Sequence, residues 1–431
     1  MNAPTVAGAR EPGSDGLQRL AILALGLATF SRLVEYVFGL PRAVDWLHFP
    51  LVSGLFALSL RRVDRDAAPV FVGCIVLLPV FALSGWLNGA GLVNVALGYI
   101  LLAEPFLLLA IMVNGLPSPR TTKSMGWWLL SFAVIQIPVA IYQWSLTPNK
   151  PDLVQGTFRG MGAGHHVMGA ITTVAALYLL SGFAMARWVR WGIAGLLFLL
   201  SVLSDSKQVM LTFVIAYVLV RVPNVKTGAA AAALAMRLAL LVVLICVAIW
   251  AIEKDEYFYK VGFVLRASAG KFAIFSVLAS HFDSAAQWVF GLGPGHGVSR
   301  LGGWLLERYW SVLEPLGATR TGIATVAWRD AHPFGLNSSF FAPLFSWAGI
   351  FGDVGLAGLG VYAALVGVTY RRFCRDEFSR LLVIAIVIFG FVFEWLEEYN
   401  FMLYAAAVIA QRWQAITSAA AATKRLPSGL V

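Results

Sequence analysis

LVNVALGYILLAEPFLLLAIMV, residues 92 to 113, decides the fold. A helix of that length rises about 33 Å at 1.5 Å per residue, the thickness of a bilayer's hydrocarbon core. Glu104 is the only acidic or basic side chain in the run. In lipid every backbone polar group must be paired within its own segment or ladder, so a spanning element is a helix or part of a closed barrel. Barrel strands would alternate apolar and polar residues over roughly ten positions, and this run does not alternate. The reading is a transmembrane helix.

Outward from that run, comparable stretches lie near 19–40, 44–60, 68–86, 126–145, 167–185, 188–204, 208–222, 232–252, 352–370, 381–398 and 400–416. The sequence therefore predicts an all-α polytopic membrane protein with about twelve transmembrane helices. Composition points the same way: 59% of the 431 residues are hydrophobic and 13% charged, which excludes an ordinary soluble domain. The organisation expected is a tail over 1–18, nine helices over 19–252, a large loop over 253–351 with an interfacial segment, three helices over 352–416 and a tail over 417–431.

Basic residues set the orientation, because inside loops accumulate Lys and Arg. Arg61, Arg62 and Arg65, then Arg120 and Lys123, Arg187 and Arg190, Arg221 and Lys226, and Arg371, Arg372, Arg375 and Arg380 occupy alternate loops. Both termini are thus expected inside. The net charge of +10 follows from topology, scattered over many inside segments with no basic stripe, and implies no nucleic-acid partner. Arg42, Lys150, Arg159 and Lys207 fall on the outer side against this trend and ask for another reason. The polar N-terminus lacks the pattern of a removable signal peptide, and Cys74, Cys246 and Cys374 offer no disulfide framework.

The outer insert, roughly 253–336, interleaves Lys254, Lys260, Arg266, Lys271, Arg300, Arg308, Arg320 and Arg329 with Tyr257, Trp288, Trp304, Tyr309, Trp310 and Trp328. Such a loop at the membrane surface suits an anionic, sugar-bearing lipid, with cations on phosphates and aromatic rings on sugar faces or at headgroup level. Interfacial anchoring alone would call for the same residue types.

Four stretches, taken in order, are similar to the O-antigen ligase and O-antigen (exopolysaccharide) polymerase superfamily of bacterial membrane glycosyltransferases. GTFRGMGAGHHVMG, residues 156–169, resembles the family's outer loop leading into a helix. SDSKQVMLTF from Ser204 resembles its Ser-Arg-Gly turn, with Lys207 in place of Arg. AGKFAIFSVLASHFDSAAQWVFGLGPG, residues 269–295, resembles its basic residue after Gly, amphipathic helix and Gly-x-Gly-Pro-Gly turn, with Lys271 where Arg is common. SSFFAPLFSWAGIFG, Ser338 to Gly352, has the ligase spacing of two polar residues, nine others, then Gly, two residues and Gly. Ligases carry His where this chain has Ser338; His332 lies six residues upstream.

The resemblance implies a membrane glycosyltransferase fold of the C type in the bacterial inner membrane, with cytoplasmic termini and a periplasmic active site. It implies inverting transfer of a glycan from undecaprenyl diphosphate to an acceptor hydroxyl, without metal or cofactor. The acceptor is another lipid-linked repeat unit in a polymerase and the lipid A core in a ligase; the altered Ser338 position favours the polymerase. Expected partners are the polyprenyl diphosphate-linked oligosaccharide, membrane lipids and a chain-length regulator. Negative charge building on the leaving diphosphate needs cations, for which Arg159, Lys207, Arg266 and Lys271 are the candidates, and the acceptor hydroxyl needs a base. His165 and His166 lead for that base, followed by His332 and then His296; Arg300, Arg329, Asn337 and Ser338 are further site candidates. No Asp-x-Asp pair marks the outer side, and Asp64, Arg65 and Asp66 sit in an inside loop. Glu104 before Pro105, and Arg32 with Glu35 on one helix face, place ionisable groups at membrane depth, which keeps a lipid-linked oligosaccharide flippase or transporter as the alternative of another class.

Overall fold

The computed structural model describes residues 14–148, 150–160, 163–222, 270–331 and 344–423, with a few single positions between 227 and 239. Among the described residues every regular element is helical. The first nine helices are α1 (Ser14–Phe38), α2 (His48–Ser59), α3 (Ala68–Leu87), α4 (Leu92–Val113), α5 (Pro119–Val134), α6 (Gln136–Leu146), α7 (Gly164–Leu180), α8 (Arg187–Leu203) and α9 (Lys207–Arg221). Beyond residue 269 come α10 (Ile274–Ala279), α11 (Ala285–Phe290), α12 (Ile323–Ala331), α13 (Ser346–Val368), α14 (Glu377–Phe389) and α15 (Tyr399–Thr423).

A helix that is apolar all round belongs in the middle of a bundle. α4 does so: it is buried continuously from Leu101 to Val113 and packs against α1, α2, α3 and α15. α15 is its partner at the centre, buried continuously from Tyr399 to Gln411. The outside of the bundle is apolar too. Leu211, Ile215 and Leu219, each one turn apart on α9, face outward, as do Val72, Ile75 and Val76 of α3 and Trp188, Trp191, Leu196 and Leu199 of α8. Stripes of this kind would destabilise a protein in water and are satisfied by lipid.

Among the described residues, five helical stretches are long and apolar enough to cross a membrane: Asp15–Phe38, Ala68–Leu87, Leu92–Val113, Pro119–Leu146 and Ser346–Phe373. The chain is therefore a helical protein compatible with a membrane. The expected spans at 44–60, 167–185, 188–204, 208–222 and 381–398 coincide with α2, α7, α8, α9 and α14, which have 12, 17, 17, 15 and 13 residues. These are shorter than the roughly 20 residues of a full crossing. Most of the expected span at 232–252 lies outside the described residues, as do both ends of the chain and all of 253–269 and 332–343.

Three expectations about the insert need correction. Its boundary with the following helix was expected at 352, but α13 begins at Ser346, where the Ser346 amide donates to Phe393 O (3.2 Å) and the Ser346 hydroxyl accepts from Leu396 N (2.9 Å). The single amphipathic helix expected within 269–295 is instead two short helices, α10 and α11, broken where Ser284 caps the second by accepting from Gln287 N. Nor does the insert lie wholly on the surface, since residues 291–301 are all buried.

Candidate active site

The third and fourth stretches meet backbone to backbone. Leu292 N donates to Gly352 O (2.7 Å) and Gly293 N to Asp353 O (3.2 Å), so the turn at 291–295 lies directly on α13. Glycine permits that approach. Gly291 (φ +75°) and Gly355 (φ +63°) face each other, and a Cβ on either would fall 2.5 Å from backbone atoms of the other segment. Gly355 also interrupts the helical dihedrals of α13. Gly349 fits against Ser299 and Gly352 against Leu278, which accounts for the Gly-x-x-Gly spacing.

Asp353 holds the turn from below. Its Oδ2 accepts from Gly295 N (2.7 Å) and from the Ser299 hydroxyl (2.5 Å), and its Oδ1 from Gly297 N (2.9 Å). From the α3 and α4 side, Asn88 Nδ2 donates to Gly291 O (3.0 Å) and Asn94 Nδ2 to Pro294 O (2.9 Å). His296 and Arg300 project from this fixed turn. His296 is buried, with Nε2 2.8 Å from Thr319 Oγ1, and burial pushes its imidazole below the usual range. That environment makes a structural histidine, held between Leu292 O and Thr319.

Arg300 leads into a buried ionic network. Its amide donates to Glu397 Oε2 (2.9 Å) and its guanidinium pairs with Glu398. Burial alone would lower its basicity; the neighbouring carboxylate of Glu398 outweighs this and holds it firmly charged. Lys271, expected in the diphosphate clamp, reaches the same 390–398 connector: its ammonium donates to Val392 O and lies 5.5 Å from the Phe345 ring. Desolvation brings its pKa down to about 7. On the α1 side, Arg32 pairs with Asp45 (2.6 Å) and Glu35 (2.9 Å), while Ser31 and Tyr399 both donate to the Asp45 carboxylate.

The first and second stretches meet as a separate pair. The Ser206 hydroxyl donates to His165 O (2.9 Å), seating the Ser204–Lys207 turn beside the first turn of α7, and Gly169 leaves the space that Ser206 fills. His165 and His166 lie with ring centroids 3.8 Å apart and planes tilted by 44°, and His165 Nε2 lies 3.9 Å from Asp152. Lys207 is half-exposed and pairs with Asp205 (3.1 Å), a residue held at positive φ by the tight turn. Arg159 is exposed, with its guanidinium 4.2 Å over the Tyr36 ring. Tyr36 stands one turn beyond Arg32 on α1, so this helix end carries both the Arg159 contact and the Arg32 network.

Family models and curated proteins give no match. Geometry alone therefore sorts the candidates. The structure brings His165, His166 and Lys207 to one loop cluster, sets Arg159 over Tyr36 of α1, and brings Lys271 and Arg300 to the 390–398 connector. Arg329 is exposed on α12. Arg266, His332, Asn337 and Ser338 lie outside the described residues. Sequence reading passed over Asp353 and the role of Asp45, His48 and Tyr399. The available signal was an ionisable side chain inside an apolar stretch, which is rare enough to demand a partner.

Proposed function

We propose that the chain is a bacterial surface-polysaccharide polymerase. In this reading it crosses the inner membrane about twelve times, keeps both termini in the cytoplasm and works on the periplasmic side. It moves a glycan from undecaprenyl diphosphate to a hydroxyl of another lipid-linked repeat unit. The acceptor oxygen attacks the anomeric carbon, the bond from that carbon to the diphosphate breaks, and the hydroxyl proton passes to a base. The diphosphate leaves with the bonding pair, and cations meet its growing charge.

The observation that carries this reading is the pairwise meeting of the four stretches: 156–169 with 204–207, and 291–297 with 349–353. Arg159 and Lys207 supply cations open to a ligand, and His165 supplies an imidazole, paired with Asp152, as the base. Arg266 and Lys271 complete the clamp in this reading, and His332 is the alternative base.

One observation favours a second reading. His48 and Glu104 are fully buried in the bundle with Nδ1 and Oε1 2.6 Å apart, and ionisable pairs at such depth line pathways in transporters. One experiment separates the two. The purified protein is reconstituted in vesicles with lipid-linked repeat unit, with and without lipid A core as acceptor. New glycosidic bonds between repeat units support the polymerase, bonds to lipid A core the ligase, and redistribution across the bilayer without new bonds the transporter.

A further inference from the structure

Between α1, the turn at Arg42–Trp46 and the segment 300–305 lies a small pocket lined by Arg32, Asp45, Trp46, Arg300, Trp304 and Tyr399. Its free space is about 10 Å³, room for roughly one water-sized oxygen. Trp46 and Trp304 are partly exposed, whereas both arginines are buried. Of the two lining arginines, the Nε–H of Arg32 and that of Arg300 are buried and donate no hydrogen bond among the described residues. A buried donor without an acceptor costs about 1–3 kcal/mol, so two at one pocket call for an incoming oxygen.

The charges decide which kind of oxygen. Arg32 is already paired with Asp45 and Glu35, and Arg300 with Glu398, so three carboxylates face two guanidinium groups. A phosphate or uronate entering here would add negative charge to a site with no spare cation. A hydroxyl adds none: its oxygen can accept from an unsatisfied Nε–H while its proton points to a carboxylate. Beside it the indole rings are already in part engaged, Trp304 by the Arg300 and Arg308 guanidinium groups at 5.6 and 5.1 Å and Trp46 edge-on by Tyr309, and the part of each ring that stays exposed offers apolar surface to a pyranose face.

We infer that this pocket is a saccharide subsite that takes one hydroxyl of an uncharged sugar residue. The inference deepens the glycan-transfer reading by naming the substrate class, and its test needs no transfer chemistry. The full-length protein in lipid nanodiscs is titrated by calorimetry with neutral tetrasaccharides of glucose, galactose or mannose, with tetragalacturonate and with inorganic phosphate. At least one neutral probe is expected to bind more tightly than both anions. Trp304→Ala should weaken it about three- to tenfold, the range for losing one aromatic contact. Trp46→Tyr, which keeps a ring, should weaken it less, and Trp188→Ala, on the outward face of α8, should leave it unchanged.

Tighter binding of phosphate or tetragalacturonate than of every neutral probe would overturn the inference. So would absence of binding by all the neutral probes, or unchanged affinity in Trp304→Ala. Saccharide binding without polymer formation from lipid-linked donor would sink the transfer reading and leave the subsite standing. Polymer formation without such binding would do the reverse.

Discussion

Removing the carboxylate of Asp353 tests whether the glycine turn is held from below or merely rests on α13. Three donors converge on it: Gly295 N–H, Gly297 N–H and the Ser299 hydroxyl. Hydrogen bonds to a charged group are each worth about 1.5–3 kcal/mol net. Asp353→Asn keeps one oxygen for Gly295 and Ser299 but turns an amide NH₂ toward the Gly297 N–H, so the expected loss is about 1.5–3 kcal/mol. Asp353→Ala leaves all three donors buried and unpaired, at about 1–3 kcal/mol each, giving about 3–9 kcal/mol. An opposing effect exists, because replacing a buried charge by an apolar group sometimes stabilises a protein. It loses here because two of the donors are backbone amides that no side-chain change removes. Reversible unfolding in mixed micelles, titrated with a denaturing detergent, gives the ranking. Wild type is expected above Asn and Asn above Ala; an alanine variant within about 0.5 kcal/mol of wild type would refute the reasoning.

Gly355→Ala should fail to accumulate as folded protein, because its Cβ would fall 2.5 Å from Gly291 N at a positive φ; a normal yield of monodisperse protein would contradict this. Arg159→Ala removes an exposed side chain stacked on Tyr36, so polymer length in cells should collapse while protein level stays within about 1 kcal/mol of wild-type stability. Wild-type chain length in both Arg159→Ala and Lys207→Ala would remove these two residues from the clamp. Lys271 has a pKa of about 7 when folded against 10.5 for the free side chain, so between those values the unfolded chain binds the extra proton. Its contribution to stability should therefore rise with pH from about 7 to about 10.5, and thermal unfolding of Lys271→Met should lack that part of the pH slope.

The helical bundle was legible because the period and length of apolar runs are local properties. Residues 92–113 gave the bounds of α4 as they stand in the structure. Boundaries failed where tertiary contact extends a helix beyond its hydropathy, as at Ser346, whose hydrogen bonds go to Phe393 and Leu396. The Gly-rich turn was visible as a motif, but its reason was not: the atoms that forbid a side chain at Gly291 belong to Asp353 and Val354, some 60 positions later. Arg300 was visible as a basic residue in the insert, yet a composition that suits phosphate was misleading there, because the partner is Glu398. Long-range ion pairs leave no period in a sequence. They show only as charges that the surrounding apolar run does not explain.

The network around Asp45 spans nearly the whole chain, for the Tyr399 hydroxyl that donates to it lies 354 residues away. That distance sets an order of assembly during synthesis. Arg32 lies on α1, which is long and apolar enough to cross a membrane; an isolated arginine at mid-depth would cost about 2.5–3.5 kcal/mol on insertion scales, and Asp45 follows soon enough to neutralise it locally. Glu398 follows Arg300 by 98 residues, so Arg300 waits for that counter-ion until the connector leading into α15 has been made. A chain truncated before residue 398 would carry its first helices in place with a buried guanidinium unpaired.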